Sequence, residues 1–155
     1  MRRSLLIILA VNILGIALFA QTDKFKSDAY FTKANEYFDK DDFKTTILYC
    51  DSAIEANSEN LEAYAFRGVS KFELKLYEEA IKDFDFALIL NDGYAEVYYY
   101  RGLAKFELGD KKHACDDWYE SYSLGYKGVI KIIEQNCNLE DSGKVKPKKT
   151  KSKKK

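Results

Sequence analysis

The chain has 155 residues, about one domain's length, and its 25 Lys and Arg balance 25 Asp and Glu. A hydrophobic content of 46% excludes a wholly disordered chain, and one Pro with eight Gly argues against a many-turned all-β fold. Three Cys are too few for a disulfide-dense scaffold, and one His without a Cys/His grouping gives no zinc site, so neither metal nor cofactor is expected.

The N-terminus begins with Arg2 and Arg3 and an apolar run from Leu5 to Phe19, and turns polar after Ala20. This order predicts a secretory signal over 1–21, followed by a linker over 22–26. As a helix the run spans about 22 Å, short of a bilayer core of about 30 Å. Retention as a membrane anchor is the other reading, because Leu18 fits a cleavage border poorly. No Cys follows the run, which excludes a lipid-modified N-terminal Cys. The expected location is therefore exported, periplasmic or secreted, where disulfides are permitted.

The middle of the chain repeats. Residues 64–74 and 98–108 match at seven of eleven positions, an offset of 34. A further step back of 34 reaches Tyr30, Ala34, Phe38 and Asp39. The same offset relates Thr46, Ala80 and Ala114; Cys50, Phe84 and Trp118; and Ala53, Ala87 and Ser121. Each unit then holds two helices. The first carries an aromatic (Tyr30, Tyr64, Tyr98) and, four residues on, a small residue (Ala34, Gly68, Gly102) on the same face. The small residue admits a close second helix, whose own small residues and large core residue fill the contact. Gly109-Asp110 predicts a helix stop followed by an N-cap.

This pattern resembles the tetratricopeptide repeat (TPR) over about 100 residues. The units are 27–60, 61–94 and 95–126, and the fold expected from the resemblance is an all-α helix-turn-helix solenoid. Departures exist: Ser58, Asp92 and Tyr126 stand where the family has Pro, Thr46 stands for Ala, and Lys111 for an aromatic. Unit one diverges most, and looser packing is expected there.

Val129–Cys137 carries apolar residues at helical spacing and predicts a capping helix over 127–139. The stretch from Ala114 through Trp118 and Gly125 to Cys137 resembles the terminal unit of exported bacterial TPR proteins. Cys115 and Cys137 are open to two readings, a bridge between last repeat and cap or two buried thiols. Cys50 is expected as an inert buried thiol. His113 is expected at the surface. Asp41-Asp42 and Asp116-Asp117 are expected as helix-start charges that favour the macrodipole. No phosphate-binding glycine loop, nucleophile motif or metal-helix motif occurs, and no catalytic residue is assigned.

What remains is binding. In the repeat register the concave positions are Phe31, Asn35 and Phe38 in unit one, and Glu62, Phe66, Val69 and Phe72 in unit two. Unit three adds Tyr99, Tyr100, Leu103 and Phe106. This surface is aromatic with acidic edges, suited to a segment of another protein. For Phe38, Phe72 and Phe106, packing against neighbouring helices is an equal reading. Some family members hold a partner's C-terminal carboxylate with a Lys/Asn/Arg clamp. Here only Asn35 matches, while Phe31, Phe66, Glu96 and Tyr100 occupy the other clamp positions. An apolar or basic segment is therefore the expected partner.

The zero net charge is a sum over unlike parts. Residues 22–143 hold 15 Lys and Arg against 25 Asp and Glu. Residues 140–155 are expected as a disordered tail in which Lys144, Lys146, Lys148, Lys149, Lys151, Lys153, Lys154 and Lys155 cluster. Such a cluster suits an anionic membrane or envelope polymer, which is the alternative function. Nucleic acid is a poor partner, since the tail has no interleaved aromatics for base stacking.

Overall fold

The computed structural model describes residues 21–137. The expected signal up to residue 20 and the Lys-rich segment lie outside the described residues, as do positions 138–139 of the expected cap. The described residues hold seven α-helices and no strand. These are α1 (21–38), α2 (Phe43–Ala56), α3 (Leu61–Glu73), α4 (Tyr77–Leu90), α5 (Ala95–Glu107), α6 (Lys111–Ser123) and, after a 3-10 turn at Lys127–Val129, α7 (Ile130–Asn136). No helix among the described residues is long and apolar enough to cross a membrane.

Polar side chains set several helix starts. The Asp42 carboxylate accepts from the Thr45 N–H at 3.1 Å, the Asn60 carbonyl from Ala63 at 2.9 Å, and the Asp110 carboxylate from His113 at 3.3 Å. Each satisfies a donor that the first helical turn leaves unpaired. α4 and α5 start without a side-chain cap, with Glu78, Glu79 and Glu96 in their first turns to favour the dipole. Asp41, Lys75 and Gly109 stand 34 residues apart between paired helices, and all have positive φ (57°, 62° and 85°). Only Gly109 does so without steric cost.

The chain forms two compact units, divided between Leu74 and Lys75. In the first, Ala34, Cys50, Ala53 and Ala63 are fully buried where α1, α2 and α3 meet, with Phe31, Tyr49, Ile54 and Phe66 packed on them. Thr46, at an alanine register position, is also fully buried, and its hydroxyl donates to the Asp42 carbonyl at 2.9 Å. Positions 22–26 are helical, not a linker. Asp23 pairs with Lys26 one turn on, and the following Ser27 is buried. The Ser27 hydroxyl donates to the Ala53 carbonyl and accepts from the Asn60 amide, both at 2.8 Å. That network fixes α1 to the α2–α3 turn.

In the second unit, Trp118 fills the contact between α5 and α6 and is 1% exposed. Its burial is worth roughly 4–6 kcal/mol of transfer free energy. The indole Nε1–H donates to the Tyr99 carbonyl at 3.2 Å. A Cβ on Gly102 would lie 2.5 Å from that nitrogen, so glycine is required by close approach. Val129 and Ile133 close the cluster from the 3-10 turn and α7. Cys115 and Cys137 are bridged, with Cα atoms 5.7 Å apart, tying α7 to α6. A seven-residue helix is marginal alone, and these contacts hold it in place.

Candidate functional site

Several of the expected binding residues meet ring to ring within each unit. In the first, the Phe31 and Phe38 rings lie 5.0 and 4.9 Å from the Phe66 ring. Phe38 also packs edge-on against Phe43 at 5.7 Å, so much of its ring serves the α1–α2 contact. Asn35 and Glu62 are exposed, and Val69 and Phe72 are half-buried. A cleft of about 650 Å³ adjoins Glu62, and Asp23, Asp28, Glu55 and Glu59 also line it with Lys24. Its edge is thus strongly acidic.

In the second unit, Tyr99 meets Tyr100 at 5.1 Å and Tyr126 at 5.1 Å, and Tyr100 stacks on Phe84 at 6.3 Å. Leu103 and Phe106 are half-buried against the Trp118 cluster, with Phe106 5.5 Å from the indole. Phe106 therefore has a packing role as well. Burial, then the neighbouring Tyr126, pushes the Tyr99 phenol above its ordinary value. Glu96 and Glu107 stand exposed at the two ends of α5. Tyr126 was not expected here. It stands where the family has Pro, and that departure was its only signal.

The ion pairs were also missed. Arg101 donates to both Asp117 oxygens, at 2.9 and 2.6 Å, and to Asp85 at 2.6 Å, while Lys105 reaches Asp117 at 2.8 Å. Asp117, midway along α6, is therefore the buried centre of a charge network that joins α4, α5 and α6, not a helix-start charge. Burial opposes the Arg101 charge, but its hydrogen bonds to Asp117 and Asp85, with their negative charge, prevail and raise its pKa. In the first unit Arg67 and Asp51 form the equivalent of the Arg101–Asp85 pair at 2.6 Å. The 34-residue spacing of both Asp and both Arg was the available signal.

Among the described residues no cluster of His, Cys, Asp and Glu could hold a metal ion. His113 is exposed and contacts the Asp110 carboxylate at 2.9 Å. Cys50 is buried and unbridged. What the two faces offer is aromatic area bordered by carboxylates.

No family model matches the chain, and no curated protein matches its sequence. Solved structures do. The second TPR of Spaghetti (RPAP3), bound to the HSP90 peptide SRMEEVD, is 27% identical with a TM-score of 0.65, covering 68% of this chain and 97% of its own. The Arabidopsis OM64 TPR domain is 22% identical with a TM-score of 0.70, covering 73% and 94%. The second TPR domain of human RPAP3, in complex with the HSP70 peptide SGPTIEEVD, is 22% identical with a TM-score of 0.68, covering 77% and 98%. With the 34-residue period and the paired helices, these likenesses make the chain a tetratricopeptide-repeat protein in fold.

Proposed function

We propose that the chain is a non-enzymatic module that binds a segment of a partner protein on its aromatic faces, and that it works outside the cytoplasm in the bacterial envelope. One observation carries the binding reading: Phe31 and Phe66 in one unit, and Tyr99, Tyr100 and Tyr126 in the other, form ring clusters bordered by exposed carboxylates. Half-exposed rings of this kind bury large area at low entropic cost on binding. The Spaghetti and human RPAP3 domains similar to this chain hold the peptides SRMEEVD and SGPTIEEVD. Both peptides carry acidic residues near their C-termini. Glu62 and Glu96 would repel them here, so the segment that fits is apolar or basic. The bridged Cys115 and Cys137 support the exported location, as does the order of residues 1–21.

The test is capture of partners from an envelope extract by the chain and by a Phe66→Ala/Tyr100→Ala variant whose helicity is first checked by circular dichroism. A specific partner lost with the variant supports the faces as the site. Equal recovery sinks the assignment. Titration with SRMEEVD is expected to show no binding above millimolar affinity.

A second reading has its own observation, the eight Lys in residues 144–155. Adhesion to an anionic surface through them would collapse near 0.5 M salt, where the Debye length falls below about 5 Å. Capture on the aromatic faces would persist.

A further inference from the structure

We propose that the Lys-rich segment 144–155 is a built-in occupant of the tyrosine face of its own unit, docking beside Tyr99, Tyr100 and Tyr126 and competing with a partner segment for them. The inference rests on the reading of that face as a binding site.

The tether comes first. Cys137 is fixed to Cys115 and packs at the edge of the same cluster as Tyr99, Leu103 and Tyr126. Cys137, the last described residue before the Lys-rich segment, therefore belongs to the cluster that carries the face. Seven residue steps separate Cys137 from Lys144, a reach of about 25 Å when extended and about 15 Å as a coil. Tyr99, Tyr126 and Cys137 pack around one cluster of six buried residues, and the three tyrosine rings follow one another at 5.1 Å, so a reach of this length covers the face. A tether this short holds its cargo at millimolar effective concentration.

Charge favours the same occupant. Residues 75–143 hold eight Lys and Arg against fourteen Asp and Glu, and the segment carries eight Lys. Glu96 lies three and four residues before Tyr99 and Tyr100, on their side of α5, and Glu107 lies four after Leu103. Cations of the unit near this face are engaged: Arg101 and Lys105 with Asp117, Lys111 over the Phe106 ring at 5.8 Å, and Lys127 over the Tyr122 ring at 4.1 Å. The last two contacts show the chemistry the segment would repeat, an ammonium on an aromatic face. In an extended strand, Lys144, Lys146 and Lys148 alternate with Val145 and Pro147. The apolar pair can then lie on the rings while the ammonium groups reach Glu96 and Glu107.

The test places a nitroxide on residue 152 of the chain (Ser152→Cys). Cys50 is fully buried and the other two cysteines are bridged, so the label is single. At low salt the signals of Tyr99, Tyr100 and Tyr126 are expected to broaden. The effect should be lost at 0.5 M salt and in a chain with all eight tail lysines changed to Gln. Absence of broadening at the three tyrosines, or broadening that survives the Lys→Gln changes, overturns the proposal. As a second measurement, a synthetic peptide of residues 144–155 is titrated against both chains. The Lys→Gln chain is expected to bind it about tenfold more tightly, its own competitor being gone, and equal affinity overturns the proposal. Failure of the parent reading shows separately, as partner capture that ignores Phe66→Ala/Tyr100→Ala.

Discussion

Gly102 carries the sharpest stability prediction. Changing it to Ala removes a helix-interior glycine, which alone would stabilise α5 by about 1 kcal/mol. Against this, the new Cβ would stand 2.5 and 2.6 Å from Nε1 and Cδ1 of Trp118 and 3.1 Å from the Ala114 carbonyl oxygen. Ordinary carbon contacts lie at about 3.5–4.0 Å, so the indole must leave its place or α5 and α6 must part by about 1 Å. Overpacking of this kind costs about 1–3 kcal/mol. Moving the indole also stretches its bond to the Tyr99 carbonyl and strands a buried donor, a further cost of about 1–3 kcal/mol. The net expectation is a loss of about 1–5 kcal/mol. Trp118 is the only Trp, so its fluorescence follows urea unfolding of this contact, and at an m-value of about 2 kcal/mol/M the midpoint falls by about 0.5–2.5 M. Gly128→Ala is the control, since its Cβ would meet only Tyr126 side-chain atoms, at an ordinary 3.5 Å or more. A Gly102→Ala protein as stable as the parent would refute the close approach as the reason for glycine.

Other expectations follow from the same packing. Asp117→Asn leaves Arg101 and Lys105 half-buried without their shared carboxylate and should cost about 2–4 kcal/mol, whereas Asp85→Asn, at a half-exposed pair, should cost under about 1 kcal/mol; urea midpoints of both variants compare them. The Ser70 hydroxyl is fully buried without a hydrogen-bond partner, and its register equivalent is the buried Ala104, so Ser70→Ala should raise stability by about 1 kcal/mol in the same assay. Cys115→Ser/Cys137→Ser opens a loop of about 20 residues and should lower stability by about 3 kcal/mol, read as thermal midpoint with and without reductant. Acid should weaken the caps of α2 and α6. The Asp42 carboxyl is held below the ordinary carboxylate range by its Thr45 hydrogen bond, and the Asp110 carboxyl by His113. A depressed folded pKa gives stabilisation that is complete above about pH 4 and lost as pH falls through the folded value. Asp42→Asn/Asp110→Asn should flatten that acid limb of the circular dichroism signal.

The repeat was legible because a residue that must be small announces itself at every recurrence. Ala34, Gly68 and Gly102 share one register position, and Ala53, Ala87 and Ser121 another, since a helix crossing admits nothing larger. Turn geometry was legible only where it coincides with glycine: Gly109 reveals its turn, while Asp41 and Lys75 hold the same left-handed backbone without a compositional sign. Long side chains hid the most. Arg101 meets Asp85 and Asp117, each sixteen residues away, because three helices converge, and that convergence has no expression at short sequence range.

The candidate site was half legible for the same reason. The repeat register selects an aromatic face but cannot divide a ring between core and surface. Phe38 packs on the half-buried Phe43 and Phe106 on the buried Trp118, and so both contribute to the fold. Phe31, Phe66 and Tyr99 likewise pack on their clusters, and Tyr100 stacks on the buried Phe84, while all four also meet other members of the two faces. This shared use bears on how the faces can evolve or be redesigned. On the proposed reading, a substitution at Phe38 or Phe106 would change stability and recognition together, and so would one at Tyr126, which touches the face from beyond α6 and packs, as Phe106 does, against the Trp118 cluster. On that reading, recognition would be most freely varied at the exposed carboxylates Glu62 and Glu96, whose charge is the ground for proposing an apolar or basic partner segment.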